Sequence, residues 1–320
     1  MIFTIDRLQI VNEQLIAFEF YNIDVEKCNE QFIKEKVDVL KGLVGTKIDV
    51  FYFIRYKNDF SYFEVEGNGE VAHYDFKQFS SWFLELNGQV TNDKDSSKSV
   101  GSVRNENLDI YVADLLNTYY RKTYETIDFS VDDNGLKLVK AVLDSCGEST
   151  YGFDLDLYCS NSGVIFEFLK RENVYVTNLT AHPARYPWNK QKFVSLWNAT
   201  RRMSENNRLA LINYSDDSTE SVGLIVVQDF DTDMRNRRMS LSEIAYNIGK
   251  KEDIIQLLKA IENGRLEAND YLSHKPKEVR NREFFATVYD EGYYYKHDKK
   301  WNCSNIGKNY ILGNGETKKA

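Results

Sequence analysis

The sequence has 320 residues, of which 42% are hydrophobic and 28% charged, with a formal net charge of −8 at pH 7. A chain of this length can bury a large core in one or two domains. No apolar run reaches the roughly 20 residues that a membrane-spanning helix needs, and the first residues lack a signal-peptide pattern. We therefore expect a cytoplasmic protein with no membrane partner. The acidic net charge argues against a protein that coats nucleic acid indiscriminately.

Residues 1–92 are predicted to form a small N-terminal α+β domain. Strand-like runs of aromatic and β-branched residues surround a segment with helical spacing, and a second helix is predicted to end at Gly88. No constellation of chemical groups is recognisable there, so we assign this domain a recognition or regulatory role. The polar stretch 93–107 has no apolar periodicity and predicts a linker. No internal repeat is apparent in the sequence.

Residues 108–320 are predicted to form a second, α/β domain. The order helix, strand hairpin, helix, strand, strand, helix predicts a mixed central sheet flanked by helices. Ser240 and Glu243 have the spacing of a capping box, which predicts a helix from there to Ile261. A C-terminal hairpin is predicted to turn at residues 290–292.

The hairpin between Tyr151 and Glu172 carries more charge than a core hairpin should. Its two apolar segments are joined by a Ser-Asn-Ser-Gly turn. In the first segment Asp154 and Asp156 share one face, because residues two apart in a strand point the same way. Glu167 and Lys170 lie in the second segment. Carboxylates and a cation held on a hairpin are what a divalent-metal site requires.

An amphipathic helix is predicted after the hairpin, over residues 189–205. Much of the local positive charge lies on its polar face, at Lys190, Lys192, Arg201 and Arg202. These four residues are candidates for contact with a nucleic-acid backbone. A solvated helix face explains the same pattern, and both interpretations stay open.

The segment DLDLYCSNSGVIFEFLK, the helix after it and the strand INYS resemble the PD-(D/E)XK nuclease superfamily over roughly residues 130–230. The resemblance implies a restriction-endonuclease-like core and a Mg²⁺ site, with Mn²⁺ as a substitute. It implies that Asp154 or Asp156 is the first acid, Glu167 the second, and Lys170 the catalytic lysine. Between the two aspartates we prefer Asp156, which lies nearer the turn. All three carboxylates are candidate metal ligands.

The spacing of the acid and the lysine departs from the family pattern. The family places them two residues apart, whereas Glu167 and Lys170 are three apart and belong to opposite faces of a regular strand. A β-bulge between them would restore a shared face, and we expect one in the structure.

The function implied by the resemblance is metal-dependent hydrolysis of phosphodiester bonds in nucleic acid. DNA is the favoured substrate, in a restriction or defence setting, and a homodimer is possible because a duplex has two strands. The alternative is a non-catalytic nucleic-acid- or protein-binding module that reuses the fold. The departure in spacing and the acidic net charge favour that alternative.

Overall fold

The structure is a computed structural model, and it describes most of the chain. The described residues are 1–88, 98–99, 109–131, 135–144, 149–150, 152–171, 178, 190–216, 221–233, 241–263, 282–286, 310–312 and 316–317. They form two compact units, one of Phe3–Leu155 and one of Met1–Ile2 with Asp156–Ala320. The division therefore falls later than the predicted linker at 93–107, of which the structure describes only 98–99.

The first unit is built on a sheet in which one parallel pair is combined with antiparallel pairs. Its strands are β1 (Ile2–Val11), β2 (Gln14–Asn22), β3 (Val50–Tyr56), β4 (Phe63–Gly67) and β5 (Glu70–Tyr74), and they lie side by side in that order. Strands β2 and β3 are parallel, and the other neighbours are antiparallel. Its helices are α1 (Glu30–Leu43), α2 (Phe76–Gly88), α3 (Ile110–Tyr120) and α4 (Leu136–Asp144). The short strands β6 (Lys98–Ser99) and β7 (Ser149–Thr150) pair with each other.

The two faces of strand β2 meet different helices, because successive side chains of a strand alternate. Phe18 and Phe20 are buried in an aromatic core that includes residues of α2 and α4. Glu19 points the opposite way, toward α1. Helices α3 and α4 were predicted to belong to the C-terminal domain. They lie in the first unit, where apolar residues of α4 join its core and Tyr120 of α3 packs against Phe32 of α1.

The second unit also has a mixed sheet. Its strands are β8 (Phe153–Cys159, shared with the first unit), β9 (Val164–Lys170), β10 (Arg208–Tyr214), β11 (Val222–Phe230), β12 (Leu241–Gly249), β13 (Arg282–Ala286), β14 (Tyr310–Leu312) and β15 (Glu316–Thr317). They are neighbours in that order, with β9 and β10 parallel and the other pairs antiparallel. Its helices are α5 (Lys190–Met203) and α6 (Lys251–Glu262). The protein is therefore an α/β protein with mixed strand pairing.

The prediction of a helix that starts at Ser240 is wrong for the first half of that segment. Residues Leu241–Gly249 form strand β12, which pairs with both β11 and β13, and hydrogen bonding on both sides overrides a local helical pattern. The helix begins only at Lys251, and Asp253 Oδ2 accepts a hydrogen bond from the Lys250 amide at 2.9 Å. The predicted turn at 290–292 lies outside the described residues. No helix in the described part of the chain is long and apolar enough to cross a membrane.

Candidate functional site

Asp156 and Glu167 face each other at the point where the β8–β9 ladder stops. The last pair of that ladder is Leu157 with Phe166, and one further step of the same register places Asp156 opposite Glu167. The Phe168 amide donates to Asp156 Oδ2 at 2.6 Å, so a side chain takes the place of a backbone acceptor. Glu167 is only 1% exposed. The hairpin thus brings together two of the three carboxylates that the sequence singled out.

The cation of this cluster comes from the helix and not from the strand. Lys192, in the first turn of α5, forms an ion pair with Glu167 Oε1. Helix α5 is held in place by Phe193 and Leu196, which are both buried. The Lys192 side chain is 32% exposed, so it links a buried carboxylate to solvent. Sequence reasoning had assigned Lys192 to a nucleic-acid surface and missed its pairing with Glu167.

Lys170 has a different partner. Its ammonium forms an ion pair with Asp216 Oδ1 at 2.8 Å. Strand β9 pairs residue for residue with β10 from Val164 through Lys170, with no register shift. The bulge expected between Glu167 and Lys170 is therefore not present in this ladder, and regular alternation places the two side chains on opposite faces. The structure supports Lys192, rather than Lys170, as the lysine beside Glu167.

Asp154 lies in the first unit, next to a buried cation. Burial lowers the pKa of the Arg7 guanidinium, and the negative charge of Asp154 partly opposes that effect. Arg7 Nη2 also donates to Gln9 Oε1 at 3.1 Å. A carboxylate that balances a buried arginine has a structural reason to be present, which does not require a metal.

The other candidate nucleic-acid contacts, Lys190, Arg201 and Arg202, lie on α5, within the helix predicted over 189–205. Lys190 is its first residue, and Arg202 is exposed in its last turn. Arg201 donates to the backbone oxygen of Glu205, and its guanidinium carbon lies 5.7 Å from the centre of the Trp197 ring. The two arginines therefore form a positive end of the helix.

A second charged cluster, in the first unit, was not anticipated. Lys36 of α1 forms an ion pair with Glu19 Oε1, lies 3.8 Å from Asp6 Oδ1, and donates to Thr4 Oγ1 at 3.1 Å. Glu19 is 1% exposed and Lys36 is 3% exposed. The sequence offered one signal: Glu19, like Glu167, lies between two phenylalanines.

No protein-family model, curated protein or solved structure matches this chain. Within the described ranges, no group of three or more histidine, cysteine, aspartate and glutamate side chains is arranged to hold a metal ion.

Proposed function

We propose that the second unit is a metal-dependent nuclease related to the PD-(D/E)XK superfamily, with Asp156 and Glu167 as metal ligands. The observation that carries this proposal is the ion pair between Glu167 and Lys192. It provides the acid–acid–lysine set of such a site although Lys170 does not. DNA is the favoured substrate, and the protein is proposed to act in the cytoplasm. A homodimer would supply one site for each strand of a duplex.

The residues of the cluster are compatible with Mg²⁺ or Mn²⁺. Mg²⁺ is commonly held by one or two protein carboxylates, with water and substrate phosphate completing its shell. Asp156 and Glu167 supply two carboxylates from adjacent strands. Ligation by Glu167 requires the Lys192 ammonium to move away from Oε1, and its partial exposure allows that movement.

The roles of the side chains follow from their charges. When bound, the metal polarises the scissile phosphate and lowers the pKa of a bound water. In the reaction the water oxygen would bond to phosphorus and one P–O ester bond would break; the water gives up a proton, and the leaving alkoxide takes one up to become the alcohol. Lys192, displaced from Glu167, stabilises the negative charge that grows on the phosphate oxygens. Arg201 and Arg202, at the other end of α5, would bind the nucleic-acid backbone.

The test compares two lysines that differ in whether they contact Glu167. Wild type, Glu167→Gln, Lys192→Met and Lys170→Met are incubated with plasmid and single-stranded DNA in Mg²⁺ or Mn²⁺. Glu167→Gln and Lys192→Met should lose about 100-fold or more of the cleavage rate, the scale of one general acid–base or electrostatic group. Lys170→Met should remain active. Cleavage that survives Glu167→Gln would show that the activity arises elsewhere.

A non-catalytic binding module is the second candidate, and the cluster in the first unit favours it. Asp6, Glu19 and Lys36 show that this chain also uses a carboxylate–lysine set where solvent does not reach. If wild type binds labelled DNA but cleaves none of the substrates with either metal, this second function is correct. Loss of binding in Arg201→Ala/Arg202→Ala would then locate the surface on α5.

A further inference from the structure

The two units repeat one order of elements. In the first unit a hairpin (β1, β2) is followed by α1, strands β3, β4 and β5, and α2. In the second a hairpin (β8, β9) is followed by α5, strands β10, β11 and β12, and α6. In both, the five strands are neighbours in chain order, and only the second and third are parallel.

The registers of the two sheets coincide residue by residue. Strand β2 pairs with β3 over seven residues, and Glu19 is in the fourth pair. Strand β9 pairs with β10 over seven residues, and Glu167 is in the fourth pair. Both hairpin ladders stop one pair before the acids, at Arg7 with Phe18 and at Leu157 with Phe166.

The contacts around the two glutamates coincide as well. The amide of the next residue donates to an aspartate Oδ2 in both units, from Phe20 to Asp6 at 2.8 Å and from Phe168 to Asp156 at 2.6 Å. A lysine from the following helix forms an ion pair with Oε1 of each glutamate. A shared fold does not dictate these side-chain identities, so their recurrence is independent of the element order.

The ends of the parallel strands correspond too. The last pair is Asn22 with Tyr56 in one unit and Lys170 with Tyr214 in the other. Asn22 Nδ2 donates to Asn58 Oδ1 at 3.4 Å, where the second unit has the ion pair of Lys170. In each unit the residue after that pair donates its amide to the tyrosine carbonyl, at 3.0 Å and 2.7 Å. Lys170 thus occupies a position that has a structural contact in both units.

We infer that the chain contains an internal duplication of one ββαβββα unit, and that Asp6, Glu19 and Lys36 are the sealed counterpart of Asp156, Glu167 and Lys192. The sealed cluster holds α1 on its sheet as a buried ion-pair lock and binds no metal. This inference concerns the first unit and does not depend on the nuclease activity proposed for the second.

The packing around α1 explains why solvent does not reach the cluster of Asp6, Glu19 and Lys36. The Lys36 ammonium lies 5.7 Å from the centre of the Phe32 ring. Phe32 in turn contacts the rings of Tyr120, Tyr124 and Phe129, which belong to α3 and the segment after it. Lys36 is the seventh residue of its helix, whereas Lys192 is the third of α5 and partly exposed. Only the cluster of the second unit has its lysine in contact with solvent.

The lock is tested with two lysines of the same helix. Lys41 forms an ion pair with Glu66 on the surface, whereas Lys36 is buried with its partner. Lys36→Met should lower the unfolding temperature by several degrees, because it leaves carboxylates buried without their cation. Lys41→Met should change it by no more than about one degree. Adding Glu19→Gln to Lys36→Met should restore part of the loss, including soluble expression if the single variant does not fold.

Two results would overturn the inference. The first is an equal change of the unfolding temperature in Lys36→Met and Lys41→Met, which would show that the buried cluster does not stabilise the packing of α1 on its sheet. The second is a loss of Mn²⁺ binding in Glu19→Gln, measured by calorimetry on the full chain, which would make the first unit a metal site. A wild type that binds no Mn²⁺ at all would refute the nuclease proposal, while the stability comparison would still decide the lock.

Discussion

The ion pair between Lys192 and Glu167 should be worth about 2 kcal/mol of coupling in the unfolding free energy. Removing one partner of a buried pair costs about 3–5 kcal/mol, because the other charge stays buried alone. A third of Lys192 is in solvent, so Lys192→Met belongs near the lower limit, at about 3 kcal/mol. Glu167→Gln leaves a lysine that can turn to water and should cost about 1 kcal/mol. The double variant should then cost about 2 kcal/mol rather than 4.

The assay is urea unfolding followed by tryptophan fluorescence in metal-free buffer, with unchanged m-values as the condition for comparing free energies. Lys170→Met is the matched control, because its ion pair with Asp216 is exposed and should contribute under about 1 kcal/mol. If Lys192→Met costs no more than Lys170→Met, or if the two changes at the buried pair are additive, then Lys192 is not bound to Glu167 in solution and the proposed site loses its cation.

Three further outcomes are expected. Asp156→Asn should weaken Mn²⁺ binding about tenfold or more in calorimetry while Asp154→Asn does not, because Asp154 balances Arg7 in the other unit; equal losses would contradict this. Glu13 has φ of 66° in a two-residue hairpin turn, where glycine is favoured, so Glu13→Gly should raise stability by about 0.5–1 kcal/mol in urea unfolding, and any loss would contradict the strain. Burial raises the pKa of Tyr158 from 10.0 to about 12, so its stabilisation is complete below pH 10 and is lost as the pH rises toward 12. Between pH 10 and pH 12 the free energy of unfolding should therefore fall by about 2.7 kcal/mol less in Tyr158→Phe than in wild type. Parallel pH profiles of the two proteins would contradict the raised pKa.

Local patterns were sufficient to predict the strands that form the hairpins. Runs of aromatic and β-branched residues predicted strands in the N-terminal domain, where the structure has β1 (Ile2–Val11) and β2 (Gln14–Asn22). The charged hairpin of β8 and β9 was also predicted, and one further step of its register places Asp156 opposite Glu167. These features depend on residues near in sequence, and on a period that a strand imposes on its own side chains.

The features that the sequence did not predict depend on contacts between residues that are distant in the chain. Lys192 is 25 positions after Glu167, so its pairing depends on where α5 packs. Strand β12 was mistaken for a helix because its pairing with β11 and β13 is not encoded in its own spacing. The repeat stayed hidden because hydrophobic residues substitute freely at buried positions, and the longest shared run in the two hairpins is a Phe-Glu-Phe triplet.

The hydrogen bond from the Phe168 amide to Asp156 has a consequence for the choice between cations. One oxygen of that carboxylate accepts a hydrogen bond from the backbone, so ligation of a metal through both Asp156 oxygens would compete with that bond. Ca²⁺ takes six to eight oxygens and can bind both oxygens of one carboxylate, whereas Mg²⁺ requires octahedral geometry and is usually held by one or two carboxylates with water molecules. The hairpin itself would therefore discriminate against Ca²⁺, and Ca²⁺ should support neither tight binding nor turnover at this site.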